Sequence, residues 1–191
     1  GQLDLPAAKL DAPVLSGPSL FAIPLRDEGR IAIIDIKQMA ISKLWQAPQC
    51  PRPSALAADP AGARLFVACR GTDPRVLALN ANDGTLLASS PAGRNINALS
   101  YDAARGWLLA PSGTDARLTL FDTSKPTQLR RVASIGTRPW AHNMAYDAVH
   151  GIAYLASMDD TDVDAMDGGE PQRYFMADSF VVTSLMFHNR T

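Results

Sequence analysis

Three arginines, Arg52, Arg94 and Arg138, open three similar phrases: "RPSALAADPAGARLFVAC", "RNINALSYDAARGWLLAPS" and "RPWAHNMAYDAVHGIAYLAS". Guanidinium groups gathered at one place would grip a carboxylate or phosphate, because their forked donors match those oxygens. The competing reading is loop packing, with the guanidiniums in water. Trp140 and His142 stand beside the third arginine. Trp140 suits packing against a neighbouring element or a stacking platform, and His142 titrates near neutrality, as a general acid or base must. A second concentration of chemistry is "MDDTDVDAMDGGEPQR", where Asp160, Asp162, Asp164, Asp167 and Glu170 gather the oxygen ligands that Ca²⁺ takes. An EF-hand loop would want glycine where Ala165 stands and glutamate where Pro171 stands, so a solvated acidic loop competes with a calcium site. The two cysteines, Cys50 and Cys69, have neither zinc nor haem spacing.

The elements that must position these residues follow from a repeat. Asp59, Asp102 and Asp147 recur about every 44 residues, the size of one propeller blade. Each begins a turn ("DPAGAR", "DAARG", "DAVHG") in which aspartate caps the backbone and glycine accepts positive φ. A strand follows each turn, at 64–69, 106–112 and 151–157. A second marker, arginine first and Asp or Asn five positions later, appears in "RIAIID", "RVLALN" and "RLTLFD" with the alternation of a half-buried strand. More polar segments, "NDGTLLAS" and "KPTQLRRVAS", supply an outer strand. The unit is therefore four strands, inner a, then b, c and outer d. From "SLFAIPL" the chain reads b-c-d, two complete units, then a-b and an interrupted c at 179–187, about three and a half blades. The expected organisation is an extension at 1–18, blades at 19–157, an acidic insertion at 158–178, and a terminal strand and tail at 179–191. A β-sandwich would also use short strands, but the regular period with the same turn chemistry argues against it.

The pattern "D-x-x-G-x-R-L-F-V-A" followed by "R-V-L-A-L-N-x-x-D-G" resembles the YVTN or YncE-like seven-bladed propellers, and more distantly those of quinoprotein amine dehydrogenase and cytochrome d1, over about Ser19 to Ser157. The resemblance implies an all-β propeller of four-stranded antiparallel blades, present as an incomplete ring. In such propellers the d-to-a and b-to-c loops emerge on one face around the central mouth, where ligands commonly bind. Arg52, Arg94 and Arg138 would recur around that mouth, beside Trp140 and His142. Cys50 and Cys69 would share that face of one blade, either as a disulfide or as buried free thiols. A bond would imply an oxidising compartment, in keeping with the extracytoplasmic location common in that family. A second identical chain could complete the ring as a homodimer.

Composition bounds the function. The 191 residues carry a formal net charge of −1, with 47% apolar and 19% charged residues, so there is no basic field for a nucleic-acid backbone and no unbroken apolar stretch for a membrane span. The sequence contains no G-x-S-x-G elbow, P-loop, G-x-G-x-x-G or C-x-x-C-H. The reading is a non-catalytic binding or scaffold propeller presenting its loops to an anionic small ligand or a protein partner, with Ca²⁺ as the one cofactor the acidic loop suggests. The alternative is a propeller enzyme, either a metal-dependent lactonase-like hydrolase or a quinoprotein dehydrogenase-type subunit.

Overall fold

The structure, a computed structural model, describes residues 1–163 and 171–187. The described residues form strands and turns with no helix. Four antiparallel sheets follow one another along the chain. The first contains β1 (Val14–Gly17), β2 (Leu20–Leu25), β3 (Arg30–Asp35) and β4 (Ala40–Gln46). The second contains β5 (Arg52–Asp59), β6 (Arg64–Arg70), β7 (Arg75–Asn80) and β8 (Leu86–Pro91). The third contains β9 (Ser100–Asp102), β10 (Trp107–Ser112), β11 (Arg117–Asp122) and β12 (Arg130–Gly136). Each of these three keeps sequence order from its inner to its outer strand.

The fourth sheet holds β13 (Asn143–Asp147) and β14 (Ile152–Ser157). The chain then makes a separate hairpin, β15 (Asp160–Val163) with β16 (Gln172–Phe175), and returns as β17 (Val181–Met186) beside β14. Two expectations change. The stretch 1–18 supplies an inner strand, β1, so the first sheet has four strands rather than three. The stretch 158–178 includes a paired ladder, Asp160 opposite Phe175 and Asp162 opposite Arg173, rather than only a loop.

Period-two alternation explains how the sheets stack. On β6, Leu65, Val67 and Cys69 pack towards the first sheet, while Phe66 and Ala68 pack towards the third. A strand buried on both sides must be apolar throughout its middle, and residues 65–69 are all buried. Leu109, Leu118, Leu120, Ala153 and Leu155 form the corresponding layer between the third and fourth sheets. Outer strands touch a neighbour with less of their length, and β4 and β12 are mostly exposed. One close approach is strict: Gly84, at φ +77°, lies on the Trp45 indole, where a Cβ would stand 2.6 Å from Cγ.

The repeated aspartates do more than cap turns. Asp59 Oδ1 accepts the Gly62 N–H at 3.0 Å, and Asp102 Oδ1 accepts the Arg105 N–H at 3.0 Å. Their other oxygens hold an arginine that crosses to the next sheet. Arg64 Nε donates to Asp59 at 2.8 Å while its Nη1 donates to the Thr123 carbonyl at 2.7 Å. Arg105 Nη1 donates to Asp102 at 2.8 Å and to the Ala148 carbonyl at 3.0 Å. The Tyr146 hydroxyl donates to Asp102 at 2.6 Å. Burial works against ionisation of Asp102, but the Tyr146 and Arg105 hydrogen bonds outweigh it and hold the carboxyl below its usual range. Burial, then the bond to Asp102, pushes Tyr146 up to about 12.

Candidate functional site at the loop face

The structure brings the d-to-a and b-to-c loops together on one face. The Arg94 N–H donates to Asp115 at 2.6 Å, and the Trp140 N–H donates to the Gly113 carbonyl at 3.0 Å. The three sequence-predicted arginines do not present three free guanidiniums there. Arg94 Nε donates to Asp115 at 2.8 Å, a contact that holds this carboxyl below its usual range, with the Arg94 N–H second. Arg138 pairs with Asp159 in the same way. Among the described residues Arg52 is the one of the three without an ion pair, because the corresponding acid in its own sheet, Asp73, pairs with Arg75.

Arg52 has a companion that sequence reasoning missed. Arg52 lies directly across the strand pair from Arg70, and Pro53 lies across from Cys69. Arg70 is half-buried, and its Nε is buried with no hydrogen-bond partner among the described residues. Burial pushes the Arg70 guanidinium down, and the charges of Arg26 and Arg52 add to this against the opposing charge of Asp11. Arg26, just after β2, is already paired with Asp11. A half-buried cation pressed by like charges is the complement of an anion.

A disulfide fixes this pair. Cys50 and Cys69 are joined, with Cα atoms 5.2 Å apart, and both are buried. Cys69 immediately precedes Arg70, and Cys50 stands two residues before Arg52, so the bond ties together the two backbones that carry the arginines.

His142 is half-buried, with Nδ1 3.0 Å from Asn95 Nδ2. An amide donor at Nδ1 places the ring proton on Nε2. Burial, then the charge of Arg70, pushes His142 below its ordinary 6.5, so the ring is neutral at physiological pH. The Asn97 N–H donates to the His142 carbonyl at 3.2 Å, and Asn97 Oδ1 is buried without a partner among the described residues. Arg52 opens the inner strand β5, while Asn97 and His142 precede the inner strands β9 and β13, so all three stand at the leading ends of inner strands.

Trp140 serves the hairpin. Its ring meets Phe175 edge-on at 6.2 Å, and Arg173 lies 4.5 Å above it. Arg173 Nε also reaches Asp160 at 2.8 Å and Asp162 at 3.1 Å. Both acids of the expected calcium loop that can be described are thus engaged by a guanidinium, and a cation would have to displace it. Asp164, Asp167 and Glu170 lie outside the described residues. Among the described residues no group of three His, Cys, Asp or Glu is placed to hold a metal.

No family model matches the chain, and no curated protein matches it. Solved structures do. Hydrazine synthase of Kuenenia stuttgartiensis superposes with a TM-score of 0.66 at 13% identity, over 95% of this chain and 51% of that one. A chain of the mitotic checkpoint complex gives 0.67 at 14% identity, over 77% of this chain and 47% of that one. BamB from Moraxella catarrhalis gives 0.54 at 11% identity, over 76% and 39%. The fold is a β-propeller. Its four blades here are three of four strands and one of three, and the chain spans about half or less of each of these structures. Identity at this level carries the fold alone, so the site rests on its own geometry.

Proposed function

We propose that the chain works as a non-catalytic propeller binding module that takes an anionic group, presented by a small ligand or a protein partner, between Arg52 and Arg70 at the head of the channel. The observation that carries this reading is Arg70: a half-buried guanidinium with an Nε unsatisfied among the described residues, beside a second arginine, with neither in an ion pair among those residues. Arg94 and Arg138 act instead as loop clasps through Asp115 and Asp159.

Calorimetric titration with citrate and with inorganic phosphate tests it. Binding by the parent protein should weaken by about tenfold or more in Arg52→Gln/Arg70→Gln, and should persist in Arg94→Gln. Equal affinity in the parent and the double variant would overturn the reading. A lactonase-like hydrolase is the competing class, and turnover of a lactone dependent on added Ca²⁺ or Mn²⁺ would favour it.

A second observation favours protein partnership through a different surface. On the outer face of blade 4, Tyr154, Val182 and Met186 are 40%, 55% and 59% exposed. The register places Ala156 opposite Val182 and Ile152 opposite Met186 on that same face. This apolar face suits docking of a further blade, including that of a second copy. Light scattering behind size-exclusion chromatography reads it: a discrete dimer that Val182→Lys/Met186→Lys converts to monomer supports the docking, and a monomeric parent chain opposes self-association. The disulfide supports an oxidising, extracytoplasmic compartment. Two reactive thiols in protein trapped directly from its source would oppose that placement.

A further inference from the structure

Among the described residues, Arg117 and Arg131 make no side-chain hydrogen bond or ion pair, and both face one groove of about 580 Å³ between the outer parts of blades 2 and 3. The reason Arg117 is free is an exchange of partners. In blade 2 the acid of the b-to-c loop, Asp73, holds the arginine that opens β7, Arg75. In blade 3 the equivalent acid, Asp115, is taken by Arg94, which leaves the arginine that opens β11 without an acid.

The register explains why the second guanidinium joins it. Leu108, Ala110 and Phe121 are on the side of blade 3 that packs against blade 2. The same alternation puts Thr119 and Arg117 on that side. The outer strand pairs Ser134 with Thr119 and Arg131 with Phe121, across a bulge between Leu120 and Phe121 that keeps both on this face. The apolar interface between two blades therefore continues outward as a wall of two free guanidiniums and several hydroxyls, opposite the turn that carries Arg94.

The geometry points to a binding site for a small phosphorylated polyol, of the sugar-phosphate class. Two separate guanidiniums with hydroxyl donors beside them match a phosphate monoester, which offers three outer oxygens where a carboxylate offers two. The volume exceeds what inorganic phosphate needs and falls within the range of small-molecule sites. No aromatic side chain lines the groove, so nothing stacks a nucleobase, while Asp115, kept ionised by Arg94, accepts from hydroxyl groups on the body of the ligand. This site is separate from the Arg52–Arg70 pair, which belongs to the strand pair β5–β6.

Calorimetry with glucose 6-phosphate, inorganic phosphate and glucose as probes tests the assignment. In the Arg52→Gln/Arg70→Gln background, where the other anion pair is removed, glucose 6-phosphate should bind more tightly than phosphate, and glucose should give no heat. Arg117→Gln/Arg131→Gln should weaken glucose 6-phosphate by about tenfold or more with an unchanged melting temperature, since neither side chain has a partner to lose. Ser134→Asp, which sets a carboxylate into the groove, should weaken it as well. Arg52→Gln/Arg70→Gln should leave it unchanged, which separates this site from the channel head. Absence of heat with glucose 6-phosphate, phosphate binding as tightly as glucose 6-phosphate in the Arg52→Gln/Arg70→Gln background, or affinity indifferent to the Arg117/Arg131 substitutions would each overturn the assignment.

Discussion

The Tyr146 hydroxyl donates to Asp102 across 2.6 Å at the boundary between blades 3 and 4, while the equivalent Tyr101 hydroxyl, at the boundary between blades 2 and 3, lies 3.4 Å from Arg64 rather than on Asp59. The same position in two repeats thus donates a short bond to a carboxylate in one case and accepts a long one from a guanidinium in the other.

Removing the two hydroxyls should therefore have unequal effects. Tyr146→Phe should cost about 2 kcal/mol, as expected for a bond to a charged acceptor that leaves the carboxylate short of a donor. Tyr101→Phe should cost well under about 1 kcal/mol. Urea denaturation of the two variants checks this, and equal losses would count against the difference between the boundaries.

Reducing the Cys50–Cys69 bond should lower stability by about 3 kcal/mol, because a short loop is released in the unfolded chain. Since the bond also ties the backbones of Arg52 and Arg70, reduction should weaken citrate binding at temperatures where the protein remains folded. Melting and titration with and without reductant read the two effects separately.

Burial and the Arg70 charge depress His142, which sets the sign of a pH dependence. The unfolded chain takes up a proton as the pH falls through 6.5, while the folded chain does not until a lower pH. This part of the stability is complete above 6.5 and is lost as the pH falls from there towards the folded pKa. Denaturation midpoints between pH 7 and 5 should fall in the parent and fall less steeply in His142→Gln. A parallel decline in both would assign the effect to other groups.

Gly84→Ala should destabilise by about 2 kcal/mol or more, since the new Cβ meets the Trp45 indole at 2.6 Å from a backbone at φ +77°. Thermal melting of the variant measures it, and Trp45→Leu in the same background should relieve part of the loss.

How far the sequence could be read depended on whether a feature is local. "RIAIID", "RVLALN" and "RLTLFD" coincide with β3, β7 and β11 residue for residue, because alternation bounded by an arginine and a turn is a local signal. The short β1 was read as an extension, since "VLSG" has too few residues to alternate visibly and acquires its place by pairing with β2. At the loop face, the three arginines were identified by position but not by partner. Asp115 and Asp159 each lie 21 residues after their arginines, beyond two strands, and which acid closes on which guanidinium is decided by how the turns pack. Arg70 was missed because a strand-end arginine has no sequence mark. It becomes prominent only when pairing sets it across from Arg52. A comparison of the three b-to-c loops could have raised the question of where Arg117 finds an acid.

The Asp–Arg clasps of the second and third blades each reach the blade that follows: Arg64 reaches Thr123, and Arg105 reaches Ala148, and among the described residues no clasp skips a blade. Such an array behaves as a row of coupled units, each steadied by its nearest neighbours. At the fourth blade the arginine is replaced by His150, which meets Asp147 at 2.6 Å and is largely exposed. That exchange leaves the fourth blade with a shorter side chain that closes on its own turn and, among the described residues, reaches no further sheet, whereas the earlier guanidiniums reach on to a carbonyl of the following one. Among the described residues the row thus has a direction, with joints that reach forward at the second and third blades and one that closes on itself at the fourth.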